Sequence, residues 1–131
     1  MISATADHAL RAVLFLARSG SRLITAEEIA SAIGAPRNYL SKTLYALSNA
    51  GILTSSAGRY GGFSLSRPAD QLSIYAVVSV FDQPSSNPRC LLGDRPCTSR
   101  NPCAAHAKWT AIEQARVAAL KSMTIAELAA G

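Results

Sequence analysis

Aromatic residues are scarce in this 131-residue chain: Phe, Trp and Tyr together make up 6% of it, with a single tryptophan. A sheet that stacks unpaired bases on aromatic rings is therefore poorly supported. Long apolar runs are lacking as well. No stretch approaches the ~20 residues needed to span a bilayer, and the start MISATADHAL has no basic segment leading into an apolar one, so a cytoplasmic protein with no membrane partner is expected. Negative charge is in deficit. Eight Asp and Glu against thirteen Lys and Arg leave a formal net charge of +5, which suits a polyanionic partner. No internal repeat or low-complexity tract is visible. What is present, 49% apolar residues in a chain about one domain long, can build a core.

Cysteine is also rare, yet its three copies are concentrated in one segment, CLLGDRPCTSRNPCAAH, from Cys90 to His106. The spacing is Cys-x6-Cys-x5-Cys, with His106 three positions after Cys103. Thiolate and imidazole are ligands of soft and borderline metals, so the cluster points to a metal centre. An odd cysteine count without a secretory leader argues against a disulfide framework. Zinc and an iron–sulfur cluster both remain open, and the absence of tight Cys-x2-4-Cys pairs leans toward a cluster held in a wrapped loop. Pro84, Pro88, Pro96, Pro102 and Gly93 break any helix or strand between residues 82 and 102. A loop of that length needs an organiser, and a bound metal would serve. An enzyme using one of these thiols is not expected, since no base with an orienting partner is visible beyond His106.

The remainder of the chain reads as a small helical protein with one hairpin. Ala6, Leu10, Val13, Leu14 and Ala17 recur at helical spacing from about Ser3 to Arg18, with Asp7 and a surface His8 in the first turn. Thr25-Ala-Glu-Glu28 is a capping box that opens a second helix, stopped by Gly34. A third follows from Arg37 to about Ala50, and two short helices joined by a glycine turn make a helix-turn-helix. In the third helix Leu40, Leu44 and Leu47 face inward, leaving Arg37, Asn38, Tyr39, Ser41, Lys42, Thr43 and Tyr45 outward. That polar set can bond bases and phosphates, and the N-terminal end of such a helix is the part that enters a major groove.

Ile52–Ser55 and Gly62–Leu65 are short β-prone runs around a glycine-rich turn, a hairpin or wing with Arg59 and Tyr60 at its tip, where they can reach a phosphate or a minor groove. Helical spacing resumes from Leu72 to Phe81. A long helix from Cys103 or Ala104 to Ser122 carries Ala105, Trp109, Ile112, Ala115, Ala119 and Leu120 along one face, with His106 one turn in and nearly in line with Cys103. Too apolar for a monomer to cover, it predicts antiparallel pairing with a second copy. A second capping box, Thr124 with Glu127, opens a short terminal helix.

Together, DHALRAV, LITAEEIASAIGAPRNYLSKTLYALSNAGIL, GRYGGFSLSRPADQLS, the three cysteines before CAAHAKW and the tail TIAEL resemble the IscR/NsrR family of iron–sulfur winged-helix transcriptional regulators. The resemblance implies a homodimer that binds double-stranded DNA under control of an iron–sulfur cluster, sensing redox state, nitric oxide or iron–sulfur supply. Cys90, Cys97 and Cys103 match the family's cysteine ligands. His106 matches the histidine completing a 2Fe-2S centre, which is favoured here, and Asp7 matches a first-helix aspartate that reaches a 4Fe-4S cluster of the partner subunit. Ala57 stands where many relatives carry a wing arginine, which passes that contact to Arg59. The fold class expected is mainly α with a small β-hairpin: a winged helix-turn-helix over residues 1–82, a cysteine-bearing loop over 83–103, and a dimerisation helix with a terminal short helix over 104–131. The alternative is a zinc-stabilised structural or protein-interaction module using the same four ligands.

Overall fold

The computed structural model describes residues 2–82 and 104–131. Cys90, Cys97, Cys103 and the expected loop of residues 83–103 lie outside the described residues.

Helix α1 (Ala4–Arg18) begins at Ser3, whose hydroxyl accepts from the Ala6 amide. Its Ala6, Ala9, Ala12, Val13 and Leu16 are buried, and small alanines let neighbouring elements approach closely. Helix α2 (Ala26–Ile33) starts at Thr25, whose hydroxyl accepts from the Glu28 amide at 3.2 Å. Half of the expected capping box forms in this way, while the Glu28 carboxylate lies 3.7 Å from Arg22 across an exposed surface. Gly34 closes α2 in the left-handed conformation (φ 70°), which costs a glycine least and swings the chain into α3 (Arg37–Asn49). Leu40, Leu44 and Leu47 of α3 are fully buried, as their spacing predicts.

Two short strands follow, β1 (Leu53–Ser56) and β2 (Gly62–Leu65), antiparallel with Leu53 opposite Leu65 and Ser56 opposite Gly62. The first strand sits one residue later than the sequence predicts. Ser66 closes the hairpin base, its hydroxyl donating to the Ile52 carbonyl at 2.9 Å. On its other side β2 meets Ile24, where the Ile24 amide donates to the Phe63 carbonyl (3.0 Å) and the Phe63 amide to the Ile24 carbonyl (2.8 Å). This isolated bridge anchors the wing to the segment that leads into α2.

A 3-10 turn (Ala69–Gln71) leads to α4 (Ile74–Val78), shorter than the run from Leu72 to Phe81 that periodicity predicts. Leu72 is extended, and its carbonyl accepts from the Ile125 amide instead of a helical partner. Helix α5 (His106–Ser122) has no buried residue, and Ile112 is 56% exposed. It meets the core near its C-terminal end, through Leu120 and through Lys121, whose Nζ stands 4.8 Å from the Tyr75 ring centroid. Helix α6 (Ile125–Ala130) is capped by Thr124 and returns to α1: Ile125 is buried in the same core, and Arg18 Nε donates to the Ala129 carbonyl. Among the described residues the architecture is a helical body with a two-stranded wing and one long helix that meets the body near its C-terminal end.

Candidate nucleic-acid interface and metal-ligating residues

Helix α3 starts differently from α1, α2, α4 and α6, each of which has a Ser or Thr cap. Pro36 holds the cap position of α3 and makes no side-chain cap bond, and the first turn carries no acid. Its opening amides and the positive end of its dipole are therefore open to an anion. Arg37, Asn38 and Lys42 project from this end and are exposed. Ser41 is half-buried, and its hydroxyl donates to the Arg37 carbonyl at 3.0 Å.

One residue of the expected outward face is placed otherwise. Thr43 is 3% exposed, in line with Leu40, Leu44 and Leu47, and its hydroxyl turns back toward the Tyr39 carbonyl at 3.4 Å. Helical position decides here: a residue three after Leu40 and four before Leu47 lies on the inner stripe whatever its polarity. Tyr39 is 38% exposed, but its hydroxyl pairs with the Thr5 hydroxyl at 2.5 Å and its ring meets His8 edge-on with centroids 5.4 Å apart. His8 is thus half-buried rather than a surface residue. Tyr45 is 58% exposed yet touches the Phe63 ring edge-on at 5.5 Å, tying α3 to the wing.

At the wing tip Arg59 and Tyr60 are both exposed, with the guanidinium 5.9 Å from the Tyr60 ring centroid. The hairpin projects them away from its buried anchor at Phe63. Two cationic surfaces, the start of α3 and the wing tip, thus flank the helix-turn-helix. Such a pair can neutralise phosphates while α3 addresses base edges.

His106 and Asp7 are the described candidates for metal ligation. His106 is the first residue of α5, not one turn inside it, because Ala105 occupies the cap position and makes no cap bond. The expected alignment of Cys103 with His106 on one helical face involves a residue that lies outside the described residues. His106 is half-buried, and its Nδ1 is buried without a hydrogen-bond partner, a costly arrangement for a polar atom. Asp7 is engaged: its Oδ2 accepts from Arg11 Nε at 2.9 Å in an exposed ion pair. Among the described residues no three His, Cys, Asp or Glu side chains come together as a metal site. An orphaned imidazole nitrogen three residues after Cys103 fits the donor set of a cluster with thiolate and imidazole ligands.

The contacts that sequence reasoning missed are Thr5 and His8 with Tyr39, and Asp82 with the Ser3 amide. Each joins residues at least 31 positions apart, so no local pattern could signal them.

Comparison with known proteins agrees with this geometry. A family described as "Rrf2: Iron-dependent Transcriptional regulator" matches residues 2–131. An HTH-type transcriptional regulator of Aquifex aeolicus is 34% identical over 130 residues, covering 98% of this chain and 90% of that protein. The HTH-type transcriptional repressor NsrR of Streptomyces coelicolor is 29% identical over 126 residues, covering 95% and 84% respectively. Among solved structures, CymR (YrzC), the global cysteine regulator of B. subtilis, superposes with a TM-score of 0.82 at 26% identity, covering 99% of this chain and 96% of that one. The capped helix-turn-helix, its anchored wing and the match along almost the whole chain place this protein in the Rrf2 family of transcriptional regulators.

Proposed function

We propose that the chain works as a homodimer whose binding to promoter DNA is governed by an iron–sulfur cluster, with Cys90, Cys97, Cys103 and His106 as ligands. The observation that carries the reading is the buried, unpartnered Nδ1 of His106. An imidazole nitrogen left without a partner at the end of a three-cysteine segment is a ligand in waiting, whereas Asp7 would first have to leave Arg11. The arrangement therefore supports His106 and a 2Fe-2S centre over Asp7 from the partner subunit and a 4Fe-4S centre. Such a cluster, when bound, supplies a redox-active centre that also reacts with nitric oxide. The family's description as iron-dependent agrees with a metal at this place.

Arg37, Asn38, Ser41, Lys42, Arg59 and Tyr60 form the DNA face, with Tyr39 behind it. Dimerisation accords with two open surfaces: α5, none of whose residues is fully buried, and a groove of about 420 Å³ whose lining includes Leu10, Leu14, Phe15 and Ile33. Ligation by Cys103 and His106 secures the start of α5. Release of those ligands frees the loop, shifts α5 and changes the separation of the two recognition helices across the dimer.

The test is anaerobic absorption and Mössbauer spectroscopy on the wild type, His106→Ala and Asp7→Ala. Wild type and Asp7→Ala are expected to show a 2Fe-2S signature, which His106→Ala loses or alters. A cluster that survives His106→Ala and disappears in Asp7→Ala would reassign the fourth ligand. Colourless protein containing stoichiometric zinc, with no iron or sulfide after reconstitution, would remove the sensing role and leave a zinc-stabilised module.

A further inference from the structure

The first turn of α1 is held from two sides by residues distant in sequence. On one side the Ser3 amide donates to Asp82 Oδ2 at 2.6 Å, and the Ser3 hydroxyl and carbonyl accept from the Ala6 and Asp7 amides. On the other side the turn reaches the recognition helix. Thr5 Oγ1 and the Tyr39 hydroxyl pair at 2.5 Å, and the His8 ring packs edge-on against the Tyr39 ring. The buried Nδ1 of His8 has no hydrogen-bond partner, so the edge-on ring contact is what ties His8 to Tyr39.

Tyr39 is the third residue of α3, immediately after Arg37 and Asn38 and three before Lys42. Its hydroxyl is spent on Thr5, which makes it a weak reader of bases and a good strut. The turn it belongs to has no side-chain cap of its own, so its direction depends on what Tyr39 grips. Base-edge hydrogen bonds tolerate errors of only about half an ångström in their donors, so the grip matters for discrimination more than for attachment.

We infer that Thr5 and His8, which lie outside the helix-turn-helix, are positioning residues for DNA recognition: by holding Tyr39 they fix the angle at which α3 presents Arg37, Asn38 and Lys42. This rests on α3 being the DNA-contacting helix. Phosphate contacts from long flexible cations adjust to a small tilt, whereas base contacts do not. Loosening the grip therefore lowers sequence preference and leaves the electrostatic part of binding intact.

The experiment uses the full-length protein and duplexes selected from a random pool by the wild type, each measured against a scrambled duplex of equal length over a range of salt. Thr5→Val and Tyr39→Phe should each lower the preference for the selected duplex by roughly three- to tenfold, the worth of one lost hydrogen bond. The double variant should lose no more than either single one, because both break the same contact. Thr5→Ser should keep wild-type preference, and His8→Leu should move it in the same direction as Thr5→Val. The salt slope should stay at the wild-type value throughout, and the melting temperature should fall by no more than several degrees, as one lost hydrogen bond allows. Unchanged preference in both single variants, or losses that multiply in the double, would overturn the inference. Arg37→Ala and Lys42→Ala separate the two levels: if they weaken binding while Thr5→Val and Tyr39→Phe do nothing, the DNA face stands and the positioning role falls. If Arg37→Ala and Lys42→Ala also leave affinity and salt slope untouched, the DNA face itself fails.

Discussion

Replacing Gly62 with alanine should detach the wing, and the structure gives the size of the effect. Gly62 has φ 153°, a conformation that side chains rarely adopt, and a Cβ built on it would stand 2.7 Å from the carbonyl carbon and oxygen of Ile24. Both obstacles are backbone, so no side chain can swing aside. The strained torsion costs about 1–3 kcal/mol. Relieving the clash means separating Ile24 from Phe63, which sacrifices two backbone hydrogen bonds of 3.0 and 2.8 Å, each worth about 0.5–1.5 kcal/mol net. Together these give about 2–6 kcal/mol. At about 3–5 °C per kcal/mol for a domain of this size, the melting temperature should fall by about 6–30 °C if the bridge is part of the cooperative unit. If the wing opens locally instead, the loss shows as faster hydrogen exchange at the Ile24 and Phe63 amides. Gly58→Ala is the control: φ is 101° but nothing lies within 4 Å of the added carbon, so the torsional cost of about 1 kcal/mol stands alone. Thermal unfolding by circular dichroism together with amide exchange reads both outcomes. A Gly62→Ala variant that melts with the wild type and protects both amides equally would refute the reasoning.

Other expectations follow from the same geometry. Lys42→Ala and Arg59→Ala should each weaken DNA binding and flatten the dependence of log affinity on log salt by about one unit, as expected for one phosphate contact apiece; identical affinity and slope in titrations from low to high salt would count against the assigned face. Leu44→Ala empties a position of α3 with 0% exposure in the core and should cost about 3 kcal/mol in urea unfolding without changing the slope with denaturant. A loss below about 1 kcal/mol would mean that the core there collapses around the gap.

The elements that the sequence makes legible are those specified by neighbours in the chain. Thr25 and Thr124 cap their helices through the Glu28 and Glu127 amides because a hydroxyl three residues before an amide reaches it by local geometry alone. Gly34 stops α2 at φ 70° for a similarly local reason. Polarity misleads at Thr43, a hydroxyl residue on the inner stripe of α3, and at His8, whose neighbour Tyr39 belongs to another helix. Periodicity overextends α4 because Val80 and Phe81 are apolar without being helical, while Leu72 bonds to Ile125 as extended chain.

By itself, then, the sequence determined the helices, their caps and stops, the wing, and the concentration of thiols next to His106, since each depends on spacing along a few residues. Tertiary structure alone decided that the Tyr39 hydroxyl pairs with Thr5, that the buried His106 Nδ1 is unpaired, and that no residue of α5 is fully buried. Those outcomes depend on which distant side chains are packed together and which groups lose water without gaining a partner. Burial and pairing across the fold carry no signature in local order, and they are what distinguish a candidate ligand from an ordinary surface charge.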